Sequence, residues 1–215
     1  MIYVVRHGHT DWNNEKITMG KKDIPLNAAG IEEAYKTSEL LKNIDIDLII
    51  CSPLIRAKQT ANIINKNRNI EIIYDERIME RSLGNLEGKP YTNDNSRIWD
   101  ININTSDNNI ETMECFKTRV FDFLEKIKKQ YSNKNILLVT HGGVSALINC
   151  YFNDSLYDGP LSNKFLNNCE IASYDNSLKI IKNNRWIIYY FLVKKMYTNR
   201  KNCWISKKCV ILSLE

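Results

Sequence analysis

Two stretches of sequence, MIYVVRHG at residues 1–8 and ILLVTHGG at residues 136–143, decide the fold. Each is a short, continuously apolar run that leads into a histidine followed by glycine. Such runs are typical of strands that are buried on both faces, as in a parallel sheet. Ligands bind outside the carboxyl ends of the strands in open α/β sheets. If the two strands are neighbours, we therefore expect His7 and His141 to point into the same crevice.

The rest of the sequence alternates between strand patterns and helical patterns. Further strands are predicted at residues 47–51, 70–74, 171–174 and 178–181. Helices are predicted at residues 27–43, 52–67, 142–152 and along a 3.6-residue stripe of Phe116, Val120, Phe123, Leu124, Ile127 and Tyr131. This alternation predicts a single α/β domain with a mostly parallel sheet sandwiched between helices. We place the domain at residues 1–182 and treat residues 183–215 as a C-terminal extension that fits no element.

Three finer expectations concern helix faces, helix ends and loops. Residues 75–109, which are rich in Gly, Asn and Asp, are expected to form an irregular excursion above the sheet. Ser52 is expected to cap the 52–67 helix, with Pro53 in its first turn. The apolar face of the 27–43 helix is expected to contain Ile31, Ala34, Tyr35 and Leu41.

Composition and charge exclude several classes of protein. The net charge of +5 over 215 residues is mild, and Lys and Arg are spread along the chain. That distribution argues against the basic stripe of a nucleic-acid-binding protein. The longest apolar run, at residues 186–193, is far shorter than the ~20 residues that a membrane span needs. We expect neither nucleic acid nor a membrane as a partner, and the oligomeric state stays open.

The cysteines and histidines do not form a metal-binding pattern. The six cysteines occur without a Cys-x-x-C pair, and the chain has three histidines. A tetrahedral metal site needs clustered soft ligands, so we expect no bound metal. The first residues enter a core strand directly, without a basic and apolar leader. These features predict a cytoplasmic protein with reduced thiols.

The neighbours of the two histidines favour an anion site. Either histidine alone could be a buried residue that is bonded to a backbone carbonyl. Arg6, however, adjoins His7 at the end of a buried strand, where an arginine is unusual unless it binds an anion. Gly142 and Gly143 begin a predicted helix, whose first N–H groups favour negative charge.

Five motifs, in order along the chain, resemble the histidine phosphatase superfamily in its cofactor-dependent phosphoglycerate mutase-like branch. They are R-H-G-x-T-x-W-N at 6–13, G-x-x-D-x-P-L at 20–26, S-P-L-x-R-A-x-Q-T-A at 52–61, D-x-R-x-x-E-x-x-x-G-x-x-E-G at 75–88 and V-T-H-G-G at 139–143. A lone R-H-G would be weak support, whereas five ordered motifs are specific. The resemblance implies the phosphoglycerate mutase-like α/β fold.

The resemblance also implies roles for individual residues. His7 would be the nucleophile and form a phosphohistidine, which splits one displacement into two. Glu80 would protonate the leaving group and then, as a carboxylate, activate water. Glu87 is a rival for that role and, with Arg81, a candidate substrate-binding residue. The phosphoryl oxygens would be bound, and the charge that develops in the transition state stabilised, by Arg6, Asn13, Arg56, the catalytic His141 and Gly142.

Three positions depart from the pattern of the family, one of them Leu86, which replaces a common aromatic residue and changes only packing. His9 stands where the family usually has Glu or Gln, and a second basic group near the site could shift its pH profile. Asn27 replaces the usual Thr after Pro-Leu, where either residue can cap the following helix.

Three functions fit the motifs. A phosphatase lets water take the phosphoryl group, whereas a mutase excludes water and needs 2,3-bisphosphoglycerate as a primer. Arg81 after Glu80 is similar to the mutase form, but Leu83, Pro90 and the short segment between Glu80 and His141 depart from it. We therefore favour a phosphatase that acts on a small phosphorylated substrate without a cofactor. A catalytically weak module that only binds a phosphorylated ligand is the third alternative, and the retained His7, Glu80 and His141 argue against it.

Overall fold

The strands that the apolar runs predict form one five-stranded sheet. The computed structural model describes residues 1–92, 97–103, 106–153 and 160–175. The strands are β1 (Ile2–Arg6), β2 (Leu48–Cys51), β3 (Ile72–Tyr74), β4 (Ile136–Thr140) and β5 (Ile171–Tyr174). The helices are α1 (Asp11–Asn14), α2 (Ala28–Leu40), α3 (Ile55–Asn65), α4 (Met113–Gln130) and α5 (Gly142–Asn153).

The sheet brings together strands that are far apart in the chain. Its order is β3-β2-β4-β1-β5. Neighbouring strands from β3 to β1 are parallel, and β5 pairs antiparallel with β1 at the edge. The register between β1 and β4 places Arg6 opposite Thr140. The carboxyl ends of the two central strands therefore meet at one edge of the sheet, and the predicted mostly parallel α/β architecture is confirmed.

Helices cover both faces of the sheet because side chains alternate along each strand. Val4 and Leu138 lie in a buried cluster with side chains of α4 and α5. Val5 and Val139 lie in a second cluster with α3 and with the residue that ends α2, Leu41. Continuous burial of β4 on both faces explains why its sequence is apolar throughout.

Helix α4 follows its predicted stripe. Thr112 caps its first turn, with a side-chain oxygen that accepts from the Cys115 N–H. Phe116, Val120, Phe123 and Leu124 are fully buried and Ile127 is 2% exposed. The sixth residue of the stripe, Tyr131, follows the last residue of the helix and is half-buried. Burial of such side chains is worth roughly 1.5–3 kcal/mol each, so this face fixes the helix against the sheet.

Two expectations for helix faces and ends are wrong. In α2, Ala34 is buried, but Ile31 and Tyr35 are 40% and 46% exposed. The helix presents small residues because Gly30 packs directly on the backbone of His9, where a Cβ would meet the carbonyl oxygen at 2.1 Å. Helix α3 begins at Ile55, and its N-cap is Leu54 rather than Ser52. The Ser52 hydroxyl lies 2.7 Å from Nε2 of His141 instead.

Among its described residues, the excursion between β3 and α4 contains short 3-10 turns at Glu76–Ile78, Gly84–Leu86, 97–99 and Asp107–Asn109, and a further turn, Leu161–Lys164, precedes β5. The predicted strand at 178–181 and the extension at 183–215 lie outside the described residues. In the part of the chain that the structure describes, no helix combines the length and the apolar character of a membrane span.

Candidate active site

The two histidines lie side by side at the carboxyl edge of the sheet. His7 follows β1, and its backbone N–H donates to the Thr140 carbonyl at 2.9 Å. His141 follows β4 directly. The centroids of the two imidazole rings are 5.2 Å apart, and both side chains are buried. The structure thus brings together the two histidines that the strand pattern singled out.

Hydrogen bonds of the His7 ring determine which nitrogen is free for chemistry. Nδ1 lies 2.8 Å from the Gly8 carbonyl oxygen, which can only accept, so Nδ1 must be protonated. Nε2 lies 3.3 Å from Nε of Arg56, which can only donate. A neutral ring with its proton on Nδ1 satisfies both contacts. The lone pair of Nε2 then faces the cationic side of the site.

Burial and neighbouring cations favour the neutral form of both histidines. Burial, followed by the charges of Arg56 and Arg6, lowers the pKa of His7 well below its ordinary value. Burial, followed by the charges of Arg56 and of protonated His7, likewise lowers the pKa of His141. Both effects penalise an imidazolium. At neutral pH the site therefore contains two uncharged imidazoles beside two guanidinium groups.

The Arg56 side chain is fully buried and held in place by the loop after α1. Its Nη1 donates to the Lys22 carbonyl at 2.7 Å and its Nη2 donates to the Gly20 carbonyl at 2.8 Å. Burial lowers the pKa of Arg56 to about 10, so the group stays cationic at neutral pH. The Gly20 carbonyl can point at Arg56 because the residue adopts a positive φ of 51°, which glycine tolerates.

Arg6 supplies the second cation. Its Nη1 donates to the Leu166 carbonyl at 2.8 Å. Its Nε is buried and has no partner among the described residues. A buried N–H without an acceptor is rare in proteins, and an anion in the crevice would provide one.

Glu80 occupies the N-terminus of helix α5. One carboxylate oxygen accepts from the Gly143 N–H at 3.0 Å, and the other accepts from the Arg81 N–H at 2.9 Å. Only glycine fits at position 143, where a Cβ would lie 2.5 Å from the Glu80 carboxylate and 2.8 Å from the Trp99 ring. The sequence predicted that the first N–H groups of this helix favour negative charge. In the structure the Glu80 carboxylate supplies that charge, next to the segment formed by His141, Gly142 and Gly143.

Asn13 lies at the mouth of the site in the short helix α1. Its side-chain oxygen accepts from the backbone N–H of Thr10 at 3.1 Å, and the Thr10 hydroxyl caps the helix in return. The amide nitrogen of Asn168 donates to the His7 carbonyl at 2.9 Å. Because the oxygen of Asn13 is engaged in the cap, its NH₂ group is the part that can donate to a ligand.

Ser52 and Thr60 support the two histidines and were not assigned to the site from the sequence. The Ser52 hydroxyl lies 2.7 Å from Nε2 of His141, and the Thr60 hydroxyl accepts from the Gly8 N–H at 3.1 Å. Both residues belong to the 52–61 motif. Ser52 also follows β2, the neighbour of β4, so the strand-end argument could have identified it. Asn168 has no such signal in the sequence.

Arg81 and Glu87, the predicted substrate-binding residues, are both hydrogen-bonded to the main chain, and Nη2 of Arg81 is buried without a partner among the described residues. The Arg81 guanidinium donates to the backbone carbonyls of Ile98 and Glu111 and lies over the Trp99 ring. One oxygen of Glu87 accepts from the backbone N–H groups of Lys21 and Leu83, both at 2.9 Å. The structure brings neither side chain into contact with His7 or His141.

His9 is paired with an acidic residue of α2. Its Nδ1 lies 2.6 Å from one oxygen of Glu33, whose other oxygen accepts from the His9 N–H at 3.0 Å. The side chains of the pair are 36% and 29% exposed. The pair therefore anchors the loop after β1 to helix α2.

No group of three or more His, Cys, Asp or Glu side chains within the described ranges is arranged to bind a metal ion. No disulfide joins the cysteines at positions 51, 115, 150 and 169, the four that lie within the described residues.

Comparisons with known proteins agree with this geometry. The family model described as "Histidine phosphatase superfamily (branch 1)" matches residues 2–183. "Uncharacterized phosphatase PhoE" of Bacillus subtilis (strain 168) is 42% identical over 141 residues, which are 66% of this chain and 71% of that protein. "Probable phosphoglycerate mutase GpmB" of Escherichia coli O1:K1 / APEC is 34% identical over 149 residues, which are 66% of this chain and 69% of that protein.

A solved structure shares the fold. Bacillus stearothermophilus YhfR superimposes with a TM-score of 0.69 at 27% sequence identity, covering 79% of this chain and 88% of that one.

Proposed function

Because the chain belongs to the histidine phosphatase superfamily (branch 1), we propose that it is a phosphomonoesterase that hydrolyses a small phosphate ester through a phosphohistidine at His7. The observation that supports this most directly is the tautomer of His7. With Nδ1–H bonded to the Gly8 carbonyl, Nε2 presents a lone pair beside the Arg56 cation. A neutral, oriented imidazole is the form that attacks phosphorus.

The first step forms the bond between Nε2 of His7 and phosphorus while the ester P–O bond breaks. Arg6, Arg56, His141, Asn13 and the backbone of Gly142 are proposed to bind the phosphoryl oxygens. Three observations support this grouping: the unpartnered Nε of Arg6, the unpartnered Nδ1 of His141 among the described residues, and the engaged oxygen of Asn13. Groups oriented in this way stabilise the charge that develops in an in-line transfer.

Glu80 is proposed to move the proton in both steps. As a carboxylic acid it gives its proton to the departing alkoxide. As the resulting carboxylate it takes a proton from water, whose oxygen attacks phosphorus and releases inorganic phosphate and neutral His7. Its fixed position between the N–H groups of Arg81 and Gly143 supports this role, because proton transfer requires a donor within hydrogen-bond reach.

The contacts of Arg81 favour the phosphatase over a mutase. In the mutase alternative, Arg81 would bind a substrate carboxylate. Here its guanidinium donates to the carbonyls of Ile98 and Glu111 and is buried. Nη2 of Arg81 has no partner among the described residues, but the bonds of Nε and Nη1 commit the guanidinium to the main chain, which supports the phosphatase. We propose that no primer, cofactor or metal is needed, since the residues themselves supply the nucleophile, the cations and the acid.

A panel of phosphate monoesters, p-nitrophenyl phosphate and 3-phosphoglycerate among them, tests the proposal. We expect turnover in EDTA, with inorganic phosphate released from 3-phosphoglycerate faster than 2-phosphoglycerate forms, whether or not 2,3-bisphosphoglycerate is added. Isomer exchange that outruns phosphate release by about tenfold, a barrier difference of ~1.4 kcal/mol, would establish the mutase instead. Absence of turnover with every ester would identify a binding module. The cytoplasmic location also stays a proposal, supported by the lack of a disulfide among the four cysteines of the described residues.

A further inference from the structure

We propose that Arg119, paired with Glu111, is a positioning residue that fixes the main chain from which Glu80 projects. The inference rests on the proposed role of Glu80 as acid and base. Arg119 lies on helix α4 and Glu111 lies just before that helix. No motif quoted from the sequence includes either residue.

The Arg119 guanidinium uses its full set of five N–H donors on the segment around Glu80 and on Glu111. Nη1 donates to the carbonyls of Arg77 and Met79 at 2.7 and 2.8 Å, and Nη2 donates to the Glu80 carbonyl at 3.0 Å. Nε and Nη2 bind the two oxygens of Glu111 at 2.6 and 2.9 Å. A lysine has three donors and lacks the planar fork, so it cannot reproduce this set.

Glu111 holds the other side of the same segment. Its carboxylate accepts from the Ser82 N–H at 3.1 Å, and its backbone N–H donates to the Ser82 carbonyl at 2.9 Å. Burial raises the pKa of Glu111, but hydrogen bonds and charge from Arg119 outweigh burial and lower it overall. The two side chains are 12% and 14% exposed, so the ion pair is poorly screened by solvent.

The segment depends on this pair because residues 79–83 lie in neither a helix nor a strand. Their carbonyls have no strand ladder to bond with, and Arg119 supplies the donors. Arg119 contacts the Glu80 backbone, while the Glu80 carboxylate bonds elsewhere. Loss of the pair would let the carboxyl group shift, and displacements of about 1 Å can cost ~10²-fold in rate.

Leaving-group dependence distinguishes positioning from general support of the fold. An alkyl phosphate needs a proton on its leaving group, whereas p-nitrophenolate departs with little help. We expect Arg119→Met to lower kcat/KM for an alkyl phosphate at least roughly tenfold more than for p-nitrophenyl phosphate, with Arg119→Lys and Glu111→Gln shifting this ratio in the same direction. Arg119→Lys and Glu111→Gln keep the test available if Arg119→Met does not fold.

Two further variants make the test specific. Arg77→Lys is the matched control, because Arg77 forms an ion pair with Asp75 in the same segment but its side chain does not hold residues 79–82. It should leave the ratio within about twofold of the parent, since Arg77→Lys keeps the backbone carbonyl of residue 77 to which Arg119 donates. Adding Arg119→Lys to Glu80→Gln should change the ratio no further than Glu80→Gln alone, because the two residues act on one proton transfer.

Several results would overturn the inference. If the Arg119 variants lose kcat/KM equally for the alkyl phosphate and for p-nitrophenyl phosphate, the Arg119–Glu111 pair has a structural role only. An equal shift of the ratio by Arg77→Lys, or an additive shift in the double variant, would lead to the same conclusion. In these cases a selective loss in Glu80→Gln would leave the proposed function standing. If Glu80→Gln itself shows no selectivity, the role of Glu80 fails and the inference fails with it.

Discussion

Nε of Arg56 lies 3.3 Å from Nε2 of His7, and the two groups are buried together at the carboxyl edge of the sheet. The guanidinium is held by backbone carbonyls of the loop after α1, so it cannot leave this position without breaking those bonds. A fixed cation beside Nε2 disfavours protonation of that nitrogen. Burial, and after it the charge of Arg56, lowers the pKa of His7 and so keeps the proposed nucleophile uncharged. Arg56 is also proposed to bind the phosphoryl oxygens.

Substitution of His7 should remove the covalent intermediate. Rapid quench with a ³²P-labelled ester should trap an acid-labile, base-stable phosphoenzyme in the parent and none in His7→Ala. His9→Gln is the matched control, because the His9 ring is hydrogen-bonded to Glu33 and, within the described residues, has no hydrogen bond to His7 or His141. It should retain the phosphoenzyme. A labelled and active His7→Ala would rule out His7 as the nucleophile.

Removal of the Ser52 hydroxyl should weaken catalysis through His141. The hydroxyl is the partner of Nε2 of His141, and a buried hydrogen bond is worth about 1 kcal/mol, which corresponds to roughly fivefold in rate. We expect Ser52→Ala to lower kcat/KM by about this factor for aryl and alkyl esters alike. Ser38→Ala removes a hydroxyl that bonds to the Ile64 carbonyl between helices and should leave kcat/KM unchanged. No loss in Ser52→Ala would mean that His141 is oriented without it.

Glu87 should contribute to activity only by accepting hydrogen bonds, which the neutral amide of glutamine can also accept. One oxygen accepts from the N–H groups of Lys21 and Leu83 and so supports the loop whose carbonyls hold Arg56. Glu87→Gln retains an accepting oxygen and should preserve most of the activity, whereas Glu87→Ala should lower kcat/KM for all esters. Steady-state kinetics with aryl and alkyl esters make the comparison. A selective loss with alkyl esters in Glu87→Gln would assign the acid to Glu87 instead of Glu80.

Acid should destabilise the protein before its carboxylates titrate. The pKa values of His7 and His141 lie below the ordinary 6.5 in the folded protein, so the unfolded chain binds more protons below about pH 6.5. The free energy of unfolding should then fall as pH drops, by up to about 2.7 kcal/mol per pH unit for two protons. Above about pH 7.5 these groups should contribute no slope.

Urea unfolding between pH 7.5 and pH 5.5 measures this dependence. A protein with His7→Gln and His141→Gln should lose the steep part of the curve, because neither group remains to be protonated on unfolding. An equally steep curve in that variant would show that other groups produce the slope.

The sequence alone determined the frame of the protein. Apolar runs without polar alternation identified β1 and β4 as strands buried on both faces, because only such a strand tolerates successive apolar residues such as Val4 and Val5, or Leu137 and Leu138. The stripe on α4 identified its buried face for a similar reason. The position of His7 and His141 at strand ends followed from the topology of parallel sheets. These features depend on local patterns that burial imposes directly.

Only the tertiary structure decided which partners the side chains around the site contact. Ser52, expected to cap a helix, contacts His141 instead, and Arg81, expected at the substrate, bonds to backbone carbonyls. Ile31 and Tyr35 are exposed because Gly30 lets the backbone of α2 approach His9. Each of these outcomes is set by groups distant in sequence that compete for the same donor, acceptor or space. Residue type and spacing describe one chain segment at a time, and such competition is resolved only when the segments pack together.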